Sequence, residues 1–375
     1  MKKFKKISFV SLLMALMLVF IGCSNGNTDD AKEGSSETQT SEVSEDGKYV
    51  GIVMPTQSLQ RWNQDGNNLK KSLEEKGYKV DLQFAQNQPD TQVSMIENMI
   101  AKKVNYLVVG PIDGNTLSGV MDQAHENNIK TISYDRLIMN TESIDYYATF
   151  DLTTVGEIQG QYIVDTLDLE NEEGPFNLEL VTGPMDDNNT KYFFEGAMSK
   201  LQPYIDKGTL VIKSNQTEMS QVSTPNWDEA EAQSRMENII TTFYQDEKID
   251  AVLCSNDSVS LGTQSALSAA GYGTDEKPMP VLTGQDANIP NVQAILDGKQ
   301  TMTVFKDTRT LAKEVVNMIE AMNKGEEVNT NDNETYDNGS KVVPTFLIDP
   351  VAVDKDNIEE TLFDSGYYKK DEFNK

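Results

Sequence analysis

Short runs of β-branched and aromatic residues alternate with helical patterns along nearly the whole chain after residue 47. The first four runs lie at residues 48–55, 79–84, 106–110 and 131–134. Between them, apolar residues recur at three- and four-residue spacing, which is the pattern of amphipathic helices. The run Tyr106-Leu107-Val108-Val109 is apolar throughout, as is typical of a parallel strand buried on both faces. Alternation of this kind predicts a parallel, doubly wound α/β sheet.

A second series of the same kind begins with a helical pattern at residue 154. Its strand patterns lie at residues 176–183, 210–213, 251–255, 280–284, 300–305 and 341–348. The chain after residue 47 is long enough for two domains with proper cores. We therefore predict two Rossmann-like lobes in tandem, each with a parallel central sheet. The natural ligand site of such a pair is the cleft between the lobes.

The N-terminus has the pattern of an exported lipoprotein. Four lysines between residues 2 and 6 precede an apolar run at residues 7–21, which ends at Gly22-Cys23. A small residue directly before a cysteine resembles the lipobox of bacterial lipoproteins, although Phe20 stands where leucine is usual. We predict a signal peptide at residues 1–22, lipidation of Cys23, and a flexible acidic tether to residue 47. The protein would then be anchored at the outer face of the cell membrane; a plain secretory signal is the alternative.

Charge and rare residue types exclude several classes of function. The formal net charge of −28 excludes nucleic acid as a partner, because phosphate binding requires basic clusters. With Cys23 acylated, only Cys254 remains, and its apolar neighbours indicate a buried core residue without a disulfide. The single histidine, His125, adds no ligand cluster, so we expect neither a metal nor a cofactor. The acidic segment at residues 329–338 lacks the calcium-loop spacing and is interpreted as a solvated turn.

Polar and aromatic side chains collect where the predicted strands end. Asp135 and Arg136 directly follow the strand at residues 131–134. In open parallel sheets, ligands bind outside the carboxyl ends of the strands. Similar groups at other strand ends or loop-to-helix junctions are Arg61, Trp62, Asp187, Asn189, Trp227, Asn256, Asp257, Gln285, Asp286 and Lys306. Asn and Asp also favour helix N-caps, which is the competing interpretation for Asp257.

The chemistry of this set matches a sugar. Carboxylates, amides and guanidinium groups offer many planar acceptors and donors, and tryptophan offers one flat apolar face. Aldoses in the pyranose form have hydroxyls that both donate and accept, and their clustered C–H bonds can stack on an aromatic ring. A site that bonds each hydroxyl would discriminate strongly, since each unpaired buried group costs roughly 1–3 kcal/mol.

The ordered set of motifs is similar to the substrate-binding proteins of bacterial ABC sugar importers, in the group that includes xylose-binding and multiple sugar-binding proteins. The resemblance covers about residues 48–370. The stretches that carry it are Arg61-Trp62, Ser133-Tyr134-Asp135-Arg136-Leu137-Ile138, Tyr147-Ala148-Thr149-Phe150-Asp151, Asp187-Asn188-Asn189, residues 251–257, Gly284-Gln285-Asp286-Ala287, Met302-Thr303-Val304-Phe305-Lys306 and Val342-Val343-Pro344.

The resemblance implies the type I periplasmic-binding-protein fold, with two lobes hinged by three crossovers. The crossovers are expected near residues 150–151, 286–287 and 323–341. The first lobe would consist of residues 48–150 plus 288–325, and the second of residues 151–287 plus 340–375. Hinge bending would close the lobes on the ligand.

The resemblance also implies roles for individual residues. From the first lobe, Asp135 and Arg136 would bind ring hydroxyls, with Arg61 and Lys306 adding donors. Contacts from the second lobe or the hinge are implied for Asp187, Asn189, Asn256 and Asp286, with Trp227 stacking on the sugar face. Trp62 is either a second aromatic wall or a helix core residue.

The implied partners are a monosaccharide such as xylose, glucose, galactose or arabinose, and an ABC permease that recognises the closed monomer. Presentation of the closed form to a chemoreceptor or a membrane histidine kinase is the alternative. A glycosidase that uses a carboxylate pair is a weaker rival. The many lysine and arginine groups suit holding a sugar better than cleaving it, so we predict that the chain is not an enzyme.

Overall fold

Two β-sheets flanked by helices make up the described part of the chain, residues 48–373 of a computed structural model. The predicted signal peptide, lipidation site Cys23 and tether lie outside the described residues. The first sheet and its helices come first along the chain. They are β1 (Tyr49–Met54), α1 (Gln60–Glu75), β2 (Lys79–Phe84), α2 (Pro89–Ala101), β3 (Tyr106–Val109), α3 (Ser118–Glu126), β4 (Lys130–Tyr134) and β5 (Tyr146–Phe150).

The elements of the second lobe follow, interrupted by α10 and β11, which return to the first lobe. In chain order they are α4 (Leu152–Thr166), β6 (Phe176–Val181), α5 (Asn189–Lys207), β7 (Leu210–Val211), α6 (Met219–Val222), α7 (Glu229–Phe243), β8 (Ala251–Cys254), α8 (Asp257–Ala269), β9 (Val281–Leu282), α9 (Ile289–Leu296), β10 (Met302–Phe305), α10 (Thr308–Lys324), β11 (Thr345–Ile348) and β12 (Val351–Asp354). None of the helices within residues 48–373 is long and apolar enough to cross a membrane.

The first sheet is parallel throughout, in the order β11-β5-β4-β3-β1-β2. Alternate residues of β1 reach opposite faces, because side chains of a strand alternate. Ile52 packs with α1 and α10 on one face, whereas Val53 packs with α2 and α3 on the other. Both faces of the strand are therefore covered, which explains why its sequence is almost continuously apolar.

The second sheet joins parallel strands β7-β6-β8-β9 to a pair formed by β10 and β12. A parallel bridge between Gln285 and Val304 connects the β9 end to β10, and β12 runs antiparallel to β10. The carboxyl ends of β6, β8 and β10 therefore lie along one edge of this sheet. The loops that carry the polar residues of the sequence motifs start at that edge.

Strand pairing corrects the predicted lobe boundaries. Residues 288–305 belong to the second lobe, because β10 pairs there, and β11 pairs with β5 in the first sheet. The chain passes between the sheets at Asp151, at residues 306–307 and at residues 349–350. The expected crossovers near residues 286–287 and 323–341 are therefore wrong. Hydrophobic patterns identified these strands but could not indicate which distant strand each one would pair with.

Candidate functional site

All nine residues predicted to bind the ligand line one cavity between the two lobes. None of them is more than 8% exposed. The cavity has a volume of about 20 Å³, which is room for about one water molecule. A ligand larger than a water molecule can therefore enter only when the lobes part or the lining side chains move. The lining residues are Leu59, Arg61, Trp62, Asp135, Arg136, Asp187, Asn189, Phe193, Trp227, Asn256, Gln285, Asp286 and Lys306.

The first turn of α1 places Arg61 and Trp62 at the cavity wall. The Arg61 guanidinium lies 4.5 Å from the centre of the Trp62 ring, and the Arg136 guanidinium lies 5.1 Å from it. Nη2 of Arg61 is 2.9 Å from Oδ1 of Asp135. Burial disfavours the charge of Arg61, but the carboxylates of Asp135, Asp65 and Asp286 raise its pKa well above the usual value. Trp62 is thus a buried core residue and a cavity wall at once.

Asp135 has a left-handed backbone conformation, with φ at 61°. This conformation is unfavourable for most residues other than glycine, but aspartate and asparagine tolerate it. Three donors hold its carbonyl oxygen: the hydroxyls of Tyr147 (2.7 Å) and Thr149 (2.8 Å), and Nδ2 of Asn189 (2.9 Å). The last of these bonds crosses from the second lobe to the first. Burial opposes ionisation of the Asp135 carboxyl, but Arg61, Lys306 and Arg136 lower its pKa below the usual value.

Asp187 organises the second-lobe wall. Its Oδ2 accepts a hydrogen bond from Nε1 of Trp227 at 3.0 Å and forms an ion pair with Nε of Arg136 at 2.8 Å. Its Oδ1 accepts the backbone N–H of Asn189 at 3.0 Å. The Trp227 ring lies so close to Gly183 that a Cβ there would come within 2.1 Å of it. Gly183, two residues after the end of β6, therefore leaves the space that the Trp227 indole occupies beside the cavity.

The third side of the cavity lies beside the crossover that follows β10. Nζ of Lys306 is 2.9 Å from Oδ1 of Asp286, and Nη1 of Arg61 approaches the same oxygen at 3.5 Å. Asp286 also has a positive φ, of 96°. Asn256 caps α8 by accepting the N–H of Val259 at 3.0 Å, so its oxygen is occupied. Its Nδ2 donors are the part of the side chain that can serve a ligand.

The charges of the lining residues are matched across the cavity. Arg61 and Lys306 lie against Asp135 and Asp286, and Arg136 lies against Asp187. No cation among these lining residues is left without a carboxylate. The arrangement therefore suits a neutral ligand with many hydroxyls better than a phosphorylated or carboxylated one.

Apart from Oδ1 of Asp135, which forms an ion pair with Arg61, three buried polar atoms of the lining residues have no hydrogen-bond partner. They are Nε1 of Trp62, Oδ1 of Asn189 and Oε1 of Gln285. A buried polar atom without a partner costs roughly 1–3 kcal/mol. One donor and two acceptors around a single cavity can be satisfied by hydroxyl groups, which both accept and donate.

Sequence reasoning missed some members of this site. Gln285 was noted at a strand end without being predicted as a ligand contact, and Phe193 was not singled out. Asp65 was also missed; its spacing of four residues from Arg61 on one helix face was the available signal. Asp257 does not line the cavity. Its carboxylate accepts the backbone N–H of Asn288 at 2.7 Å, so it has a structural role.

Two α/β lobes with a polar cavity between them are the arrangement typical of two-lobed solute-binding proteins. The family model for the periplasmic binding protein domain matches residues 50–327 of the chain. The chain therefore belongs to the periplasmic binding protein family, and the predicted type I fold is confirmed. The relatives are solute-binding proteins, which also confirms that the chain is not an enzyme.

Two relatives and one solved structure show the similarity in detail. The chain is 51% identical to the multiple sugar-binding periplasmic protein SbpA of Azospirillum brasilense, over 88% of this chain and 92% of that protein. It is 50% identical to the multiple sugar-binding periplasmic receptor ChvE of Rhizobium radiobacter, over 86% and 91%. The crystal structure of an ABC transporter solute binding protein from Clostridium phytofermentans with bound β-D-glucose matches with a TM-score of 0.84 and 51% identity, over 87% and 99% of the two chains.

Proposed function

We propose that this protein binds a neutral monosaccharide aldose between its lobes and delivers it to an ABC permease. The observation that carries the proposal is the composition of the cavity wall. Both lobes contribute charged and amide groups, and these groups bind one another across the cavity. Three further buried atoms have no hydrogen-bond partner. Sugar hydroxyls can replace the contacts across the cleft and also satisfy the unpaired atoms. The likeness to a solute binding protein with bound β-D-glucose supports the same choice.

The residues have complementary roles in this proposal. Asp135 and Arg136 hold hydroxyls from the first lobe, with Arg61 adding donors beside them. From the other side of the cleft, contacts come from Asp187, Asn189, Asn256 and Asp286, and the aromatic walls are Trp62 and Trp227. Lys306 was expected on the first lobe, but it directly follows β10 at the crossover and adds its donor from there. Closure of the hinge then brings the two halves onto the sugar.

Export and anchoring remain part of the proposal. Lipidation of Cys23 would tether the folded domain at the outer face of the cell membrane, through the acidic segment up to residue 47. The protein would act as a monomer that presents its closed form to the permease. Incorporation of labelled palmitate into the wild-type protein, and its loss in Cys23→Ala, would test the anchor. Equal incorporation by both proteins would refute it.

The test of ligand class is calorimetric titration of the unlipidated protein, made by Cys23→Ala. We expect saturable binding, with one sugar per chain, for at least one of D-xylose, D-glucose, D-galactose and L-arabinose. Glucose 6-phosphate is the matched control, because it adds charge to the same ring. The proposal is wrong if none of the four neutral sugars binds, or if the phosphorylated sugar binds more tightly.

A sensing role is the second candidate, and the name of one relative, a multiple sugar-binding periplasmic receptor, favours it. Both roles use the same closed form, so binding alone does not separate them. Deletion of the gene would abolish uptake of labelled sugar if the protein serves a permease. Normal uptake with a lost transcriptional response to sugar would instead support the receptor role.

A further inference from the structure

Asp65 is a fully buried carboxylate directly behind the ligand cavity. It lies on α1, one turn after Arg61, with no exposed surface. Its Oδ2 accepts hydrogen bonds from Nε and Nη2 of Arg61, at 3.0 and 2.9 Å. Its Oδ1 accepts the hydroxyl of Tyr134 at 2.5 Å. Asp65 is not among the residues that line the cavity, and Arg61 lies between Asp65 and the cavity.

Three carboxylates hold the Arg61 guanidinium, and they differ in what a ligand can do to them. Asp135 lies 2.9 Å from Nη2, and Asp286 lies 3.5 Å from Nη1. Both line the cavity and are themselves proposed to take sugar hydroxyls. Asp65 is the one of these three partners of Arg61 that does not line the cavity. Asp65 accepts from Nε and Nη2 of Arg61. Nη1 makes no contact with Asp65 and lies beside Asp286 at the cavity.

Tyr134 fixes the carboxylate in turn. It is the last residue of β4 and directly precedes Asp135, and it is fully buried. Its hydroxyl occupies the oxygen of Asp65 that does not face Arg61. The chain of contacts therefore runs from the sheet through Tyr134 and Asp65 to Arg61.

We propose that Asp65 is the positioning residue for Arg61, holding the guanidinium in place while a sugar exchanges with its other two partners. The proposal rests on the proposed sugar-binding function. Without Asp65, the guanidinium would be free to turn onto Asp135 and Asp286. A bidentate ion pair of that kind would occupy the groups that the sugar needs.

The charged and titratable groups facing Asp65 come from three elements. They are Arg61 on α1, Tyr134 and Asp135 at the end of β4, and Tyr367 in the C-terminal segment. Burial raises the pKa of Asp65 to about 6, although Arg61 opposes this increase. Protonation removes the negative charge that attracts the Arg61 guanidinium. The hydrogen bonds from Arg61 to Asp65 should therefore weaken as the pH falls through about 6.

The test follows the side-chain ¹⁵Nε–¹H signal of Arg61 by NMR, assigned through its loss in Arg61→Lys. In the wild-type protein we expect a single signal that is protected from exchange with water and shifts as the pH falls through about 6. Asp65→Ala should abolish the protection, and Asp65→Asn should remove the pH-dependent shift. The matched control is Glu74→Gln, which breaks the exposed i,i+4 pair of Glu74 with Lys70 on the same helix. It should change nothing.

Tyr134→Phe keeps the test decisive if substitution of Asp65 prevents folding. It preserves the ring and removes only the hydroxyl bond to Asp65. We expect the Arg61 signal to shift while the circular dichroism spectrum stays unchanged. Protection of Arg61 that survives Asp65→Ala would overturn the proposal. If the Asp65 variants do not fold, an Arg61 signal that is unchanged in folded Tyr134→Phe would overturn it instead.

Sugar titrations of the same variants then separate this inference from the proposed function. We expect Asp65→Asn to weaken binding about tenfold and Glu74→Gln to leave it unchanged. If Arg61 is released in Asp65→Ala but affinity is within twofold of wild type, positioning by Asp65 has no role in binding and the proposal is wrong. If the wild-type protein binds no sugar at all, the proposed function fails, and the role of Asp65 in sugar binding fails with it. The NMR result still reports whether Asp65 holds Arg61.

Discussion

Replacement of Asp135 by asparagine removes one negative charge from the cleft while preserving the backbone. Asparagine tolerates the left-handed conformation at this position, where φ is 61°. The carbonyl oxygen of residue 135 keeps its bonds from Tyr147, Thr149 and Asn189, because none of them involves the substituted side chain. We therefore expect the variant to fold normally and to bind sugar poorly.

The magnitude follows from the partners of the carboxylate. Asp135 accepts charge-assisted contact from Arg61 at 2.9 Å and is proposed to accept sugar hydroxyls as well. A hydrogen bond to a charged group contributes about 1.5–3 kcal/mol. Since about 1.4 kcal/mol corresponds to a tenfold change in Kd, Asp135→Asn should weaken binding by about 10- to 150-fold. Asp135→Ala should weaken binding more than Asp135→Asn, because asparagine keeps an oxygen acceptor and an N–H donor beside the sugar and alanine keeps neither.

The assay is calorimetric titration at neutral pH with the sugar that the wild-type protein binds best, accompanied by thermal unfolding. The matched control is Asp81→Asn, which removes one carboxylate from the ion pair with Lys102; Asp81 lies on β2 and does not line the cavity. Its affinity should equal that of the wild type. A Kd for Asp135→Asn within threefold of wild type, with a folded protein, would refute the assigned role. Asp135 would then be only an ion-pair partner of Arg61.

Three further predictions test the packing around the site. Gly183→Ala places a Cβ within 2.1 Å of the Trp227 ring, so it should displace the indole and weaken sugar affinity at least tenfold without unfolding the protein; unchanged tryptophan fluorescence and affinity would contradict this. Cys254 is buried, and burial raises the pKa of its thiol to about 12. This thiol should therefore react with Ellman's reagent only after denaturation. Rapid reaction of Cys254 in the native protein would contradict this prediction. Tyr368→Phe removes a hydroxyl that donates to the carbonyl of Ala287 at 2.9 Å and accepts from Nε2 of Gln60 at 2.7 Å and Nε2 of Gln64 at 3.3 Å. The loss should cost about 1–3 kcal/mol and lower Tm by at least about 2 °C. An unchanged Tm would show that these bonds contribute nothing to stability.

The sequence was a good guide to the site because the site depends on local positions. Polar residues that follow a parallel strand must lie at the carboxyl edge of its sheet, whichever neighbours that strand has. Asp135, Asp187 and Lys306 could thus be placed beside one cleft before any pairing was known. Their contacts with one another could not. The bond from Asn189 to the carbonyl of Asp135 spans 54 residues of sequence and depends on how the lobes meet.

The lobe boundaries could not be predicted for the opposite reason. A strand pattern such as residues 300–305 carries no information about its partner, and β10 pairs with β12, which lies some fifty residues later. The short strand β5 was not identified as an element, because its residues were recognised only as a motif. The expectation for the run at residues 341–348 was also too long, since the strand itself is Thr345–Ile348.

Asp65 shows a further limit of sequence reasoning. A carboxylate four residues after an arginine on a helix is most often a solvent-exposed ion pair, as Lys70 and Glu74 are on the same helix. Only the structure shows that Asp65 is buried, accepts the Tyr134 hydroxyl and does not line the cavity. Burial, rather than spacing, makes it a candidate for positioning Arg61.

The central claim is that one sugar molecule is held by both lobes at once. A crystal structure of the protein with its tightest-binding aldose tests this most directly. The account predicts a single pyranose between Trp62 and Trp227, with hydroxyls within hydrogen-bond distance of Asp135 in the first lobe and Asp187 or Asn256 in the second. A sugar bound by one lobe alone, or outside this cavity, would contradict the account.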